Sequence, residues 1–149
     1  MSQTLATLNT KLTAHAATAG ANKFILGYIE DIHELRDQNT TYYPVIEVLP
    51  PVLKDSHNTE VEVFKTLFDI SVYYEFNRNT LTTVQYYVVQ RIVAWAAANV
   101  IGKAFITAID GDSNITVLDE DFEVTLYPEG STLENTVVAN YKINVKISC

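Results

Sequence analysis

One long apolar stretch, residues 79–108, limits how this chain can fold. Its sequence is NTLTTVQYYVVQRIVAWAAANVIGKAFITA, and Arg91 is the only charge between Leu81 and Gly102. Apolar residues recur at steps of three and four, which predicts a helix over about 80–101. The predicted stripe consists of Leu81, Val84, Val88, Ile92 and Trp95. Because other apolar residues lie off this stripe, we expect the helix to be covered on more than one side, by a sheet and by a second helix or a neighbouring subunit.

The segments on either side of this helix alternate between apolar and polar residues, as half-buried strands do. The alternation is strict over 66–76 and again over 137–148, where YKINVKI is its clearest part. Weaker strand signals lie at 42–49 and 121–127. We therefore predict an α+β fold in which helices pack on an antiparallel sheet of about four strands. The expected core residues are Val72, Tyr74, Trp95, Ile143 and Val145.

A second helix is predicted near the beginning of the chain. The apolar stripe from Phe24 to Leu35 favours a helix over about 22–37, so the element order is helix-strand-strand-helix-strand-strand. We treat 1–21 as an N-terminal segment, helical or extended, and 22–149 as a single α+β domain. The beginning of the sequence lacks the pattern of a signal peptide. Cys149 is the only cysteine, so no intrachain disulfide is expected.

Charge is distributed unevenly along the chain. The net charge is −8, which disfavours binding to nucleic acid or to an anionic membrane. Residues 104–141 contain eight acids and no lysine or arginine. The stretch is either a solvated face or a surface that does not bind a polyanion. Its acids are Asp110, Asp112, Asp119, Glu120, Asp121, Glu123, Glu129 and Glu134, and the first six are the candidates for a surface lining an acidic channel.

Motifs for chemistry are weak in this sequence. Residues 110–121 resemble a calcium loop, but Ile115 stands where that loop needs glycine and Asp121 where it needs a bidentate glutamate. A plain acidic turn is therefore the favoured interpretation. The histidines are scattered, and neither a nucleophile elbow nor a glycine-rich phosphate loop is present. We expect no enzyme activity, no catalytic or metal-binding residue and no cofactor.

Two features instead suggest interfaces. The connection 50–60 is longer than most hairpin loops, and it offers Val52 and Leu53 to a partner. Tyrosines at adjacent positions place one ring of each strand pair away from the core, where interfaces favour them. The interface candidates among the tyrosines are Tyr42, Tyr73 and Tyr86.

The order of a helix, a hairpin with a long loop, a second helix and a second hairpin ending in YKINVKI resembles the tailed-bacteriophage tail terminator and head–tail joining (neck connector) proteins. The resemblance implies a structural virion protein, assembled in the host cytoplasm, that forms a homo-oligomeric ring at the phage neck or tail top. It implies contacts with portal, connector or tail-tube proteins, and DNA that passes through the ring without specific binding. No membrane association is implied. The alternatives are a soluble ligand- or protein-binding α+β module that forms a dimer, and an enzyme whose chemistry is unrecognised.

Overall fold

The structure is a computed structural model, and it describes residues 2–27, 44–49, 54–57, 62–75, 84–119, 121–127 and 136–148. Two helices and seven strands lie within these ranges. The helices are α1, Ser2–Ala19, and α2, Val84–Asp110. The strands are β1, Lys23–Leu26; β2, Val45–Val48; β3, Lys54–His57; β4, Glu62–Glu75; β5, Ile115–Val117; β6, Val124–Tyr127; and β7, Thr136–Ser148.

The strands form one mixed sheet in the order β1-β2-β4-β7-β5, with β3 paired to β4 and β6 paired to β7. The long antiparallel pair of β4 and β7 is its centre, in register from Val63 opposite Ser148 to Glu75 opposite Thr136. Among the described strands, only β1 and β2 pair in parallel. The α+β class is thus confirmed, whereas the prediction of about four purely antiparallel strands was too simple.

The first difference from the predicted fold lies just after α1. Gly20 has a φ of 104°, and the backbone bonds from Gly20 N to Ala17 O and from Ala21 N to Ala16 O end the helix in a Schellman turn. The chain then enters the sheet, because residues 23–26 pair with Val45–Val48. The prediction of a helix beginning at residue 22 was therefore wrong for 23–26, while its remainder from 28 to 37 lies outside the described residues.

Both helices pack on one face of the sheet, which we call the inner face. Helix α1 contributes Leu8, Leu12 and Ala16 to the same buried cluster as the central strands. Helix α2 contributes Ala98, Ile101, Phe105, Ile106 and Ile109. The segment before residue 21 is thus a helix within the main core. Among the expected core residues, Val72, Ile143 and Val145 are fully buried, and Tyr74 and Trp95 are partly buried.

Helix α2 presents a different side to the sheet from the one predicted. The buried positions are 94, 98, 101, 102, 105, 106 and 109, whereas Ile92 of the predicted stripe is 56% exposed. Leu81 lies outside the described residues, as do the side chains of Val84 and Val88. Small residues decide the orientation, because the ring of Tyr141 from β7 occupies the space beside Gly102. A larger side chain facing the sheet at that point would keep the helix from approaching so closely.

The outer face of the sheet is also closed over part of its area. Val45 and Val138 are buried there, together with the polar residues Glu47, Ser71 and Asn140. The alternation of β4 and β7 predicted Ser71 and Asn140 to face solvent, and this was wrong. A signal for burial of the outer face lies in strand β2, whose four residues are all buried. A strand that is buried on both faces lacks a clean alternation of apolar and polar residues.

Candidate functional site

The exposed side of α2 carries an apolar row. Ile92, Ala96, Val100 and Ala104 follow one another at intervals of four residues and all are exposed, with Val93 beside them. Val93 is 55% exposed and Val100 is 68% exposed. Single exposed apolar residues are ordinary on soluble proteins. Five on one helical face form a continuous patch, and such patches mark contacts with a protein or a membrane. We call this the apolar helix face.

Length and composition would also allow residues Arg91–Asp110 to cross a membrane. In this structure the buried residues of that segment, such as Ala98, Phe105 and Ile109, pack against the sheet and α1. The exposed side of the helix becomes polar near its C-terminal end, where Lys103, Thr107 and Asp110 are exposed. The segment therefore has the arrangement of a core helix that leaves part of its apolar surface uncovered by its own chain.

The acidic turn after α2 holds a group of polar contacts around Asp112. Its carboxylate accepts hydrogen bonds from Lys11 Nζ at 3.1 Å, from Asn114 N at 2.9 Å and makes one with His15 Nε2 at 2.7 Å. The side chain of Asp112 is 6% exposed. Burial by itself would raise the pKa of Asp112, but these hydrogen bonds and the Lys11 charge lower it to about 2. This group, which we call the Asp112 clasp, fixes α1 to the end of α2.

The same turn is tied to the central strand β7. Asn114 donates from Nδ2 to Ser148 O at 2.8 Å, and Ser148 N donates to Asn114 O at 2.8 Å. Asp112 and Asn114, the third and fifth positions of the resembled calcium loop, are therefore engaged with the protein. Within the described ranges no group of three or more histidine, cysteine, aspartate or glutamate residues could hold a metal ion. The residues of this turn have a structural use, which supports the acidic-turn interpretation.

The six acidic candidates are not equivalent. Asp112 is taken up by the clasp and is not available to an acidic surface. Asp119 accepts from Asn144 N at 2.7 Å, beside β7. Asp110, Asp121 and Glu123 are exposed, Asp110 at the end of α2 and the other two just before β6. Glu120 lies outside the described residues. The exposed acids thus fall in two places, at the helix end and at the β5–β6 side of the sheet.

Only one of the five interface candidates can be located with its side chain. Tyr73 is half-buried on the outer face of the sheet, and its hydroxyl donates to Glu47 Oε1 at 3.3 Å. Tyr86 lies in α2, but its side chain is not described. Tyr42, Val52 and Leu53 lie outside the described residues. The tyrosine candidates and Val52 and Leu53 therefore remain predictions, whereas the predicted connection 50–60 was wrong as a loop for 54–57, which form β3 against β4.

A further polar cluster on the outer face was not predicted. Asn140 Nδ2 lies 2.6 Å from Asp69 Oδ1, 3.0 Å from Ser71 Oγ and 3.2 Å from Ile70 O. These contacts join β7 to β4 at the middle of the sheet. Buried amides need such partners, so this cluster fixes the pairing of the two central strands.

Comparison with known proteins gives little guidance. No protein-family model matches the sequence, and no curated protein matches it either. Among solved structures, the fold is similar to a chain in one described as the virion of a native gene transfer agent (GTA) particle, with a TM-score of 0.48 and 10% sequence identity. The similarity covers 91% of this chain and 84% of that chain. At this TM-score and identity the similarity assigns neither a family nor a function.

Proposed function

We propose that this protein is a structural virion subunit that assembles into a ring at the neck or tail top of a tailed phage, as a tail terminator or head–tail connector. The apolar helix face is the observation that carries the proposal. Its residues are exposed although they belong to the longest described helix, whose other side packs in the core. An uncovered apolar face of this kind favours binding to another protein surface.

A ring follows if the apolar helix face of one subunit contacts a different surface of the next. Such heterologous contacts close into a ring when the rotation between neighbours divides the circle evenly. The opposite choice, contact between two copies of the same face, gives a two-fold dimer. That dimer is the arrangement expected of the alternative function, a soluble ligand- or protein-binding module. The two functions therefore differ in the size of the assembly.

The acidic stretch supports the position of the ring around DNA. Its exposed members, Asp110, Asp121 and Glu123, have no described basic neighbour within ion-pair distance. A channel wall with the same sign of charge as DNA gives the genome no deep binding minimum. Part of this stretch is therefore proposed to face the channel. The other virion proteins, portal, connector or tail tube, would then contact the ends of the ring.

The first test measures assembly. Sedimentation velocity and electron microscopy of the purified protein over a range of concentrations should show a ring-shaped oligomer. Val100→Asp should shift the protein to monomer, because a carboxylate on the apolar helix face loses its hydration on contact. Thr107→Asp, two turns further along and exposed at the polar end of the same helix, is the matched control and should assemble. A wild-type protein that stops at monomer or dimer would overturn the ring.

The second test concerns the channel. Asp110→Asn, Asp121→Asn and Glu123→Gln are made separately, and each variant that still assembles is incorporated into particles. Loss of a channel acid should slow DNA ejection, since a less negative wall repels the genome less. Normal ejection from all assembling variants would remove the channel role and leave the ring role in place.

A further inference from the structure

A row of lysines crosses the outer face of the sheet. The register places Lys65 of β4 directly opposite Lys146 of β7, and Lys54 of β3 opposite Lys65. Lys65 is exposed and Lys146 is half-exposed. Directly opposite residues on antiparallel strands have Cβ atoms about 4.5–5.5 Å apart, and like charges in that position destabilise the pair. We call Lys65 and Lys146, with the register position of Lys54, the lysine row.

The described part of the subunit does not neutralise this row. Its only ion pairs are those of Asp112 with Lys11 and His15. Asp119 lies beside β7, but its carboxylate accepts from Asn144 N and Nδ2. Lys142, further along β7, differs from the row because the register gives it an acid, Asp69, as its opposite residue. Among the described side chains, Lys65 and Lys146 therefore have no acid that compensates their positive charge, in a chain of net charge −8.

An exposed apolar residue adjoins the row. Leu67 follows Lys65 on the same face of β4 and is 48% exposed. Asn144, opposite Leu67, is exposed too. Leu67 alone would be ordinary, but next to the lysine row it adds an apolar group to a charged surface, and protein contacts combine apolar and polar groups in this way. A surface that binds nucleic acid only through its charge does not need this exposed leucine.

We propose that the lysine row binds the acidic side of a second copy of this chain, so that neighbouring subunits in the ring associate head to tail. The acceptors are Asp121 and Glu123, which are exposed and lie before β6. Strands β3 and β4 lie on one side of β7, and β5 and β6 lie on the other. Lys65 therefore lies on one side of β7 and Lys146 on β7 itself, whereas Asp121 and Glu123 precede β6 on the other side. The lysines and the acids are thus two different surfaces of the subunit, as a heterologous contact requires.

Charge complementarity favours a copy of the same chain over DNA as the partner. The acids of residues 104–141 outnumber their bases by eight to none, so every copy carries an acceptor as well as a lysine row. The net negative charge would oppose the approach of a polyanion to the subunit. This inference rests on the proposed function, because it presupposes assembly. It assigns Asp121 and Glu123 to the subunit contact and leaves Asp110 as the described exposed acid for the channel.

A charge-exchange experiment tests the pairing. One variant carries Lys65→Glu and Lys146→Glu, and the other carries Asp121→Lys and Glu123→Lys. Each variant alone places like charges across the contact, so each should remain monomeric at concentrations where the wild type assembles. In an equal mixture every contact pairs opposite charges again, and rings containing both variants should form. Lys23→Glu is the control, because Lys23 is exposed on β1, away from the lysine row. It changes the charge as much as one of the lysine substitutions does, and it should assemble as the wild type does.

The outcomes separate this inference from the ring itself. Assembly of either double variant alone, or a mixture of folded variants that remains monomeric, overturns the pairing while the ring stands. A wild-type protein that never assembles overturns both. Binding of a labelled DNA duplex by the wild type in low salt, lost in the Lys65→Glu, Lys146→Glu variant, would identify the row as a nucleic-acid surface and also overturn the pairing. Circular dichroism confirms the fold of each variant.

Discussion

The aromatic ring of Tyr141 lies against Gly102, so closely that a Cβ atom on residue 102 would overlap the ring. Tyr141 is fully buried in β7, and Gly102 is in α2. Its hydroxyl donates to Asn99 Oδ1 at 2.5 Å, one turn earlier in the same helix. Phe122 also contacts the Tyr141 ring, edge to face, with 5.9 Å between ring centroids. The side chain of Tyr141 therefore sets both the distance of α2 from the sheet and its rotation.

Gly102→Ala should destabilise the protein although alanine is the better helix former. The gain in helix propensity is about 1 kcal/mol, while forcing an extra methyl group into a packed core costs about 1–3 kcal/mol. Because Tyr141 is fully buried, bonded to Asn99 and packed on Phe122, we expect the cost to exceed the gain and the melting temperature to fall. Gly111→Ala is the control, since a Cβ there meets only ordinary contacts. Equal melting temperatures for Gly102→Ala and the wild type would contradict the close approach.

Tyr141→Phe should cost about 1–2 kcal/mol in the free energy of unfolding, since it removes the donor and leaves the Asn99 amide oxygen without it. A double-mutant cycle with Asn99→Ala isolates the interaction in chemical denaturation. The double variant should lose less than the sum of the two single variants. Strict additivity would show that the hydroxyl and the amide do not interact in solution.

The buried position also raises the pKa of Tyr141 to about 12, so its titration should be absent from the range of ordinary tyrosines.

The Asp112 clasp predicts a pH dependence. The pKa of Asp112 falls from 3.8 in the unfolded chain to about 2 in the folded protein, so the folded state favours the carboxylate. This contribution, about 2 kcal/mol, is fully present above the unfolded pKa and is lost as pH falls from about 4 to 2. Denaturation midpoints of the wild type should decline across this window, and those of Asp112→Asn should decline less. Asp110→Asn, exposed two residues earlier, should retain the wild-type slope.

Asn140→Ala tests the polar cluster on the outer face. Removal of the amide withdraws the donor from Asp69 and Ser71 and leaves a small cavity between β4 and β7. We expect a loss of about 1–3 kcal/mol in unfolding free energy, as for other buried polar groups that lose their partner. Thr125→Ala on the neighbouring strand β6, where the side chain is exposed, should change stability much less. Similar losses from both substitutions would mean that Asn140 is not buried in solution.

The central part of this fold could be predicted because local pattern and tertiary position agree there. The alternation of β4 and β7 identified Val72, Ile143 and Val145 as core, and all three are buried. The rotation of α2 could not be predicted in the same way. A helix apolar on several sides gives no periodic signal for the side that meets the sheet, and the choice depends on the small residues that receive Tyr141.

Other features escaped prediction because their causes are distant in sequence. The partners of Asp112 precede it by 101 and 97 residues, so only the folded chain shows that this acid is a structural one. Strand β1 was predicted as helix because Phe24 and Ile25 fit both periods, and the turn at Gly20 decided between them. The exposed apolar helix face could be partly anticipated, since the sequence indicated that α2 needs more than one covering surface.

The position of β7 in the sheet determines when, during synthesis of the chain, the core is completed. This strand follows all the other described elements along the chain, yet it lies between β4 on one side and β5 and β6 on the other. During synthesis, α1 and β4 emerge well before the strand that completes their core, and contacts of such long range form slowly. A partly synthesised chain lacks Lys146 and the support for α2. The supported apolar helix face and the complete lysine row are therefore both present only after β7 has been added, so an incomplete chain would lack the surfaces that the proposed assembly uses.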